Sequence, residues 1–320
     1  MAVYTNISAE QAKDFLGKYD LGNYVSHEGI VKGVSNSNFH LFTDRGRYIL
    51  TLFERRRINY TDLPFFFVFS GHLARKGINC PQARQDKSGT TINELAGRAA
   101  VIIDFIEGCD AAKDDITVSH CAQAGELVAQ MHKASADFAP ERVNAMGIAH
   151  WRKLVEKARG YADKFEFGLY RFLAAELAYL EKNWPEGLES GAIHADIFPD
   201  NVFFKDGELC AVIDFYFSCT DFYAYDLALA LNAWCFEKEK DFSREKFAAM
   251  TQAYRETRFL SRPEKTAMQV LCRGAALRIL LSRLEEYFEH DGDTLMQPHD
   301  PGAYLTRLKF HQENDVTNYL

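Results

Sequence analysis

The segment that decides the fold is HADIFPDN, residues 194–201, together with IDF at 213–215. The first segment places a histidine, two acids and an asparagine among apolar neighbours. The sequence between the two segments, NVFFKDGELCAVIDF, alternates like a β-hairpin with its turn at Asp206 and Gly207. One two-residue turn therefore brings the polar segment back to IDF.

The turn also predicts which side chains of the hairpin share a face. A regular register pairs Lys205 with Glu208 and Asn201 with Val212. Because residues two apart on a strand point to the same side, Asn201 and Asp214 should project together at the open end. The loop that leads into this end carries Asp196.

Three oxygen-bearing side chains converging in this way suit a hard cation such as Mg²⁺, which shares its coordination with water and phosphate. The protein-kinase catalytic loop, H-R-D-x-x-x-x-N followed by a metal-binding Asp, has the same spacing. On that template Asp196 accepts a hydroxyl proton, while Asn201 and Asp214 hold Mg²⁺ against ATP phosphates. The alternative is a loop whose Asp and Asn only cap turns.

The rest of the chain predicts an α+β fold with a β-rich N-terminal lobe, residues 1–108, and a mainly helical C-terminal lobe, residues 109–320. Strands are expected at 24–34, 37–43, 47–53, 83–86, 90–93 and 98–108, and a helix at 63–76, with Asp62 as its cap. Helical spacing follows at 117–135, 151–160, 167–183, 222–238, 243–257 and 263–290.

Composition excludes several classes of function. A net charge of -8 argues against a nucleic-acid surface, and no apolar run is long enough to cross a membrane. The N-terminus does not resemble a signal peptide, which predicts a cytoplasmic protein. The seven cysteines are scattered singly, so reduced thiols are expected rather than disulfides or a zinc site.

HADIFPDN, IDF and DFYAYDLALAL resemble the aminoglycoside phosphotransferase and choline kinase superfamily. More narrowly, RYILTLFERR, DLPFFFVFSGHLARKGINCP, ELAGRAAVIIDFIEG and RGAALRILLSRL resemble the protein-kinase-like homoserine kinases of threonine biosynthesis. The resemblance implies a protein-kinase-like two-lobe fold and ATP- and Mg²⁺-dependent phosphorylation of the homoserine hydroxyl.

The resemblance also assigns roles to single residues. Main-chain groups of Asp104 and Ile106 would meet the adenine. Asp226 would support the catalytic loop by accepting its backbone N–H groups, unless it is only a helix N-cap. His194 is expected to be a structural member of the loop.

Two departures from the family pattern concern the phosphates. The glycine-rich loop is only GIVKGVSNSNFH, so backbone and hydroxyl groups of Ser35, Asn36 and Ser37 are expected to contact phosphate. The second departure is Thr51, which stands where kinases carry a basic residue. The candidate replacements are Lys32 and Arg55, and the alternative for both is ordinary surface charge.

The acceptor of the phosphoryl group would need its own cation and anion. Arg278 lies on a small apolar helix face, where a desolvated guanidinium needs a bidentate partner such as a substrate carboxylate. The alternative partner is one of the chain's own acids. Asp221 or Tyr223 would meet the acceptor's ammonium, unless they serve only in loop capping and packing.

Two other functions fit the sequence. The acceptor could be choline, ethanolamine, an aminoglycoside or another hydroxylated metabolite, since the late helices offer both acids and aromatics. A nucleotide-binding pseudokinase scaffold is suggested by Thr51 and the irregular glycine-rich loop. The complete set of Asp196, Asn201 and Asp214 argues against a scaffold, which needs neither base nor metal ligands.

Overall fold

The computed structural model describes residues 5–30, 36–54, 58–111, 115–290 and 298–320. These residues form two compact units. The first contains the described residues up to Glu107, and the second contains Gly108–His290 and Pro298–Leu320. The division falls one residue before the boundary that the sequence predicts at 108.

The first unit is a five-stranded antiparallel sheet with two helices, and its strand order is β1-β2-β3-β5-β4. Its elements are α1 (Ala9–Leu16), β1 (Tyr24–Gly29), β2 (Asn36–Thr43), β3 (Gly46–Phe53), α2 (Leu63–Arg75), β4 (Asn93–Leu95) and β5 (Arg98–Asp104). The predicted strands at 37–43 and 47–53 are present as β2 and β3, which pair as a hairpin with Thr43 opposite Gly46.

One face of this sheet is apolar and is covered by α1. Leu41, Leu50 and Ile102 are fully buried there against Phe15 and Leu16 of the helix. A capping box between Ser8 and Gln11 starts α1. The large side chains that favour a β-strand therefore also form the hydrophobic core of the unit.

The later strands of this unit are shorter than the sequence predicts. Of the predicted strand at 83–86, only Ala83 forms a bridge, opposite Ile103. The strand predicted through 108 ends at Asp104. Asp62 precedes α2, but its side chain makes no capping hydrogen bond.

The second unit is mainly helical. Its elements are β6 (Cys109–Asp110), α3 (Val118–Ser135), α4 (Ile148–Ala158), α5 (Ala162–Phe165), α6 (Leu169–Asn183), β7 (Ser190–Ile193), β8 (Val202–Lys205), β9 (Glu208–Val212), β10 (Cys219–Phe222), α7 (Tyr223–Trp234), β11 (Phe236–Glu237), β12 (Asp241–Phe242), α8 (Arg244–Thr257), α9 (Arg262–Glu289) and α10 (Gly302–Glu313). The sequence predicts six of these helices but neither α5 nor α10. None of the helices in the described ranges is long and apolar enough to cross a membrane.

Helix α7 is the centre of the second unit. All of its residues are buried, because its sequence is apolar on every side except at Asp226 and Asn232. Just before it, β10 pairs with β7 in an antiparallel ribbon that joins Cys219 to Ile193. This ribbon brings the segment that precedes His194 next to the start of α7.

Helices α3 and α8 cross closely at Gly125. A Cβ atom at this position would lie 2.2 Å from the carbonyl oxygen of Met250 in α8. The crossing aligns His132 of α3 with Tyr254 of α8, whose hydroxyl lies 2.9 Å from the His132 Nδ1 atom. A glycine is needed here because any side chain would hold the two helices apart.

We predict that Gly125→Ala lowers the free energy of unfolding by about 1–3 kcal/mol, since the added methyl group overpacks the crossing. Urea unfolding followed by circular dichroism measures this change. Gly160→Ala is the matched control, because a Cβ there would lie 3.7 Å from the nearest atom. Equal stability of the two variants would show that the α3–α8 crossing tolerates a wider spacing.

Candidate functional site

The hairpin that carries the polar segment has a bulge that the sequence does not predict. A register shift lies between Phe203 and Phe204, so Val202 rather than Asn201 stands opposite Val212. The predicted pairing of Asn201 with Val212 is therefore wrong by one residue. Even so, the Ile213 N–H donates to the Asn201 carbonyl at 2.9 Å, which places Asn201 next to the residue before Asp214.

Asn201 is held against Asp196 by its side-chain amide. The Asn201 Nδ2 group donates to the main-chain carbonyl and to the Oδ2 atom of Asp196, both at 2.9 Å. These two bonds fix the orientation of the amide, since only its nitrogen can donate. The Asn201 Oδ1 atom is therefore turned away from Asp196 and is free to act as a ligand.

Two carboxyl groups of the site have raised pKa values. Removal from water raises the pKa of Asp196 to about 8, and the negative charge of Asp214 adds to the rise. Desolvation by the surrounding protein raises the pKa of Asp214 to about 6, although its side chain is still exposed to solvent. Acids that repel each other in this way attract a cation.

The donor set fits a divalent cation that is shared with phosphate. Asp214 and the Asn201 Oδ1 atom offer oxygen ligands of the kind that Mg²⁺ prefers. Within the described ranges, no three His, Cys, Asp or Glu side chains converge as a complete metal site. Water and substrate oxygens would therefore have to complete the coordination.

His194 is a structural residue of the loop. Its ring accepts a hydrogen bond from the Asp196 N–H on Nδ1, at 3.2 Å, and donates from Nε2 to the Ile213 carbonyl at 3.0 Å. Burial lowers the pKa of His194 to about 4. The imidazole is thus neutral at pH 7, with both nitrogens used to hold the loop.

Asp226 binds the backbone of the same loop. Its carboxylate accepts hydrogen bonds from the N–H groups of His194 at 3.2 Å and Ala195 at 2.8 Å. A third bond comes from the His132 Nε2 atom at 3.1 Å. Asp226 is the fourth residue of α7 and Phe222 is its N-cap, so the alternative of a helix cap is wrong.

The Asp226 carboxylate is ionised in spite of its burial. Burial alone would raise its pKa, but the hydrogen bond from His132 and the other donors lower it below the usual value. Only the packing of α3 against α7 brings His132 to Asp226. No local pattern around His132 signals this role.

Arg278 supports the loop from the side opposite Asp226. Its Nη1 group donates to the Ala195 carbonyl at 2.8 Å, and only 2% of the residue is exposed. Ala195 has a φ of 62°, a conformation that costs an alanine about 1–2 kcal/mol. Contacts on both of its peptide groups thus hold a strained residue in place.

The structure contradicts one of the two partners predicted for Arg278, an acid of the chain itself. Its hydrogen bond goes to a main-chain carbonyl, and it forms no ion pair with any acid in the described part of the chain. The physical reason is that a carbonyl oxygen partly satisfies a buried guanidinium without a second charge. Arg278 positions the loop through this bond, while its Nε atom is buried without a hydrogen-bond partner, so its contact with a substrate carboxylate stays a prediction.

Of the two residues predicted to meet an ammonium, only Asp221 is accessible. Its oxygens accept bonds from the Asn144 side chain and the Phe222 N–H, both at 2.7 Å, and the carboxyl group is half-buried. Tyr223 is buried, and its hydroxyl accepts a hydrogen bond from Ser135 at 3.3 Å. Tyr223 packs inside the unit, and its contact with the acceptor stays a prediction.

In the first unit, the segment after β5 borders an open pocket of about 620 Å³ that includes Asp104, Phe105 and Ile106 in its lining. The Asp104 N–H donates to the Gln82 carbonyl at 3.0 Å. Its carbonyl oxygen is therefore the main-chain group of Asp104 left for a ligand. The Asp104 side chain points instead to Arg84, with a 2.5 Å hydrogen bond.

Asn36 and Ser37, two of the residues expected to contact phosphate, are both buried in β2. Ser37 is fully buried, and its hydroxyl accepts from the Thr5 N–H and donates to Glu54 at 2.9 Å each. The predicted contact of this hydroxyl with phosphate is wrong, since Glu54 and Thr5 use it. Asn36 is buried with its Oδ1 atom unpaired in the described structure.

The residue at the usual lysine position, Thr51, is buried and donates a hydrogen bond to the Asn38 side chain at 2.7 Å. This bond gives the buried hydroxyl of Thr51 a hydrogen-bond partner inside the sheet. Ser35, Lys32 and Arg55 lie outside the described residues.

Comparison with known proteins gives the family that the sequence motifs resemble. Residues 26–260 match the model of the phosphotransferase enzyme family. The homoserine kinase of Afipia carboxidovorans is 50% identical over 98% of this chain and 95% of its own length. The homoserine kinase of Xanthobacter autotrophicus is 48% identical, covering 98% of this chain and 97% of its own.

Solved structures share the fold at low sequence identity. A spectinomycin phosphotransferase in complex with ADP and spectinomycin has a TM-score of 0.70 and 15% identity, covering 98% of both chains. The Plasmodium vivax ethanolamine kinase has a TM-score of 0.65 and 15% identity, covering 97% of this chain and 96% of its own. These likenesses establish the protein-kinase-like α+β architecture.

We predict that Asp226→Asn loosens the loop at 194–201. An amide in place of the carboxylate turns one acceptor into a donor, so a buried N–H loses its partner at a cost of about 1–3 kcal/mol. Hydrogen–deuterium exchange of the peptide that contains Ala195 should become faster, and urea unfolding should show the loss of stability.

The matched control is Glu176→Gln. Glu176 is also buried and accepts bonds from Arg273 and Gln312, neither of which bonds to the loop. This variant should lose stability while the exchange of the loop peptide stays unchanged. Equal exchange in both variants would mean that Asp226 stabilises the unit only globally.

Proposed function

Because this chain belongs to the phosphotransferase enzyme family, and within it to the homoserine kinases, we propose that it transfers the γ-phosphoryl group of ATP to the hydroxyl of L-homoserine. The product would be O-phosphohomoserine, a step of threonine biosynthesis. The near-full-length identity to homoserine kinases supports the acceptor. The observation that carries the reaction type is the joint placement of Asp196, Asn201 and Asp214.

Asp196 is the proposed general base. Its Oδ2 atom is held by Asn201, and its Oδ1 atom has no hydrogen bond to a described residue. The acceptor hydroxyl would give its proton to Asp196 as its oxygen bonds to the γ-phosphorus and the bond to the ADP oxygen breaks. His194 cannot take this role, since both of its nitrogens are used.

Asn201 and Asp214 are the residues that would hold Mg²⁺. Asn201 offers its Oδ1 atom and Asp214 its carboxylate. Asn201 lies just before β8 and Asp214 just after β9, so the hairpin brings them together. When bound, the ion neutralises charge on the phosphate oxygens. The two residues would hold the ion close to Asp196, because Asn201 bonds directly to the proposed base.

In the first unit, the Asp104 carbonyl and the Ile106 N–H are the proposed adenine contacts. The N–H of Asp104 is already donated to Gln82, while no hydrogen bond to a described residue engages the N–H of Ile106. The Asp104 carbonyl would accept a hydrogen bond from the adenine amino group, and the Ile106 N–H would donate to the neighbouring ring nitrogen. Asn36 remains a proposed phosphate contact through its backbone and side chain.

Asp221 is proposed to attract the ammonium group of the acceptor. Its two hydrogen bonds fix the carboxylate at the end of β10 while leaving it half-exposed. Burial raises its pKa, the Asn144 amide opposes that rise, and a neighbouring ammonium would favour the ionised form further.

Coupled detection of ADP release with Mg²⁺ tests the acceptor. L-homoserine, choline, ethanolamine, an aminoglycoside and L-serine should be compared at equal concentration, and L-homoserine should give the highest kcat/KM. Faster turnover of choline or ethanolamine would refute the homoserine assignment. ATP binding without turnover of any acceptor would favour a scaffold.

We predict that Asp196→Asn lowers kcat by about 10²–10⁴-fold, because the amide keeps the shape but cannot accept the proton. The KM for ATP should stay within twofold of the wild type. Asp200→Asn is the control, since Asp200 is an exposed acid of the same loop. Wild-type turnover of Asp196→Asn would exclude Asp196 as the base.

We also predict that Asp214→Ala weakens the binding of Mg-ATP by about tenfold or more, since it removes a charged metal ligand. Isothermal titration calorimetry with and without Mg²⁺ measures the effect. The affinity for ATP in EDTA should change far less. Equal Mg-ATP affinity of variant and wild type would place the ion elsewhere.

A further inference from the structure

Two arginines and a tyrosine in the second unit form a buried cluster that the reaction described so far does not use. Arg283 lies on α9, and Tyr304 and Arg307 lie one turn apart on α10. The guanidinium of Arg283 is 4.6 Å from the centre of the Tyr304 ring, and that of Arg307 is 4.2 Å from it. We call these three residues the Tyr304 cluster.

All three side chains are withdrawn from water. Arg283 is 8% exposed, Arg307 is 3% exposed and Tyr304 is fully buried. Placing two like charges on one ring out of water is costly unless an anion compensates them.

The described chain does not supply that anion at close range. Neither arginine has an ion pair with a described acid, and Arg283 donates only to the Asp300 carbonyl, at 3.1 Å. The Arg307 Nε atom and the Tyr304 hydroxyl are buried without a hydrogen-bond partner in the described residues. Unpaired donors of this kind point to a missing acceptor.

Other buried arginines of the unit show the contrast. Arg273, ten residues before Arg283 on α9, makes bonds of 2.8 and 2.6 Å to Glu176. Arg258 binds Glu264 at 3.0 Å and Glu189 at 2.6 Å. In both cases an acid compensates the buried arginine, whereas no described acid does so for Arg283 and Arg307 at ion-pair distance.

Electrostatics agrees with the geometry. Removal from water lowers the pKa of Arg283, and the charge of Arg307 adds to the fall. Tyr304, Glu239 and Asp300 oppose the fall. An anion between the two guanidinium groups would remove the repulsion.

The cluster lies near the proposed base. The ring of Tyr304 is 6.5 Å from that of Phe198, which follows Asp196 by two residues in the loop. Burial raises the pKa of the Tyr304 hydroxyl, the two arginines oppose the rise, and the charge of Asp196 adds to it. An acceptor that reaches Asp196 with its hydroxyl can therefore have its other end near the cluster.

We propose that Arg283, Arg307 and the Tyr304 hydroxyl bind the carboxylate of the amino-acid acceptor. This inference rests on the proposed function and names the residues that select its substrate class. A carboxylate offers two coplanar oxygens, which match the forked donors of a guanidinium and the phenolic O–H. The Nε atom of Arg278 is also buried without a partner, but Arg278 is less suited, because the acids Asp196 and Asp221 already lie near its charge.

The test compares two acceptors that differ only in the carboxylate, L-homoserine and 3-aminopropan-1-ol. Arg307→Met should lower kcat/KM for L-homoserine by about 100-fold, mainly through KM, since it removes a charge-assisted contact. The KM for ATP and the kcat/KM for 3-aminopropan-1-ol should stay within threefold. Arg283→Met should show the same selectivity with a smaller loss.

Arg273→Met on the same helix is the matched control, and any loss it causes should be equal for the two acceptors. If Arg307→Met does not fold, Tyr304→Phe and Arg307→Lys keep the volume and test the same selectivity. Equal losses for both acceptors in these variants would overturn the carboxylate site while leaving the homoserine kinase intact. Wild-type turnover of 3-aminopropan-1-ol but not of L-homoserine would instead overturn the proposed function and the site together.

Discussion

The hydrogen bonds from a loop backbone to the buried carboxylate of Asp226 are the constraint on which the site depends. They turn the N–H groups of His194 and Ala195 inward and hold Ala195 at a φ of 62°. Arg278 binds the carbonyl on the other side of Ala195. With both peptide groups of Ala195 fixed, the backbone that carries Asp196 is held in one conformation.

This constraint explains which parts of the structure could be predicted from the sequence. The loop spacing, the hairpin turn and most helices depend on neighbours within a few residues, so local patterns reveal them. The bulge at Phe203, the β7–β10 ribbon and the bond from His132 to Asp226 depend on contacts between distant segments. A single sequence carries no signal for these contacts. The regular register therefore pairs Asn201 with Val212, whereas the bulge places Val202 there.

The arginines show the same limit in the chemistry of the site. A buried arginine among small residues correctly indicated an unusual environment at Arg278, but its partner is a backbone carbonyl rather than an acid. Arg283 stands five residues later on the same helix, and α10, which carries Arg307, was not predicted at all. Only the packing of α9 against α10 reveals that two cations share one ring.

The proposed arrangement of charge gives a physical basis for choosing among hydroxylated acceptors. An acceptor with an ammonium but no carboxylate, such as choline, could satisfy Asp221 yet would leave Arg283 and Arg307 uncompensated. Buried polar groups left unpaired reject a wrong substrate more strongly than a change in apolar size does. An amino acid would satisfy both ends, and its hydroxyl would remain as the group presented to Asp196. Selection would then come from the cost of leaving the arginines unpaired, as much as from the contacts that homoserine makes.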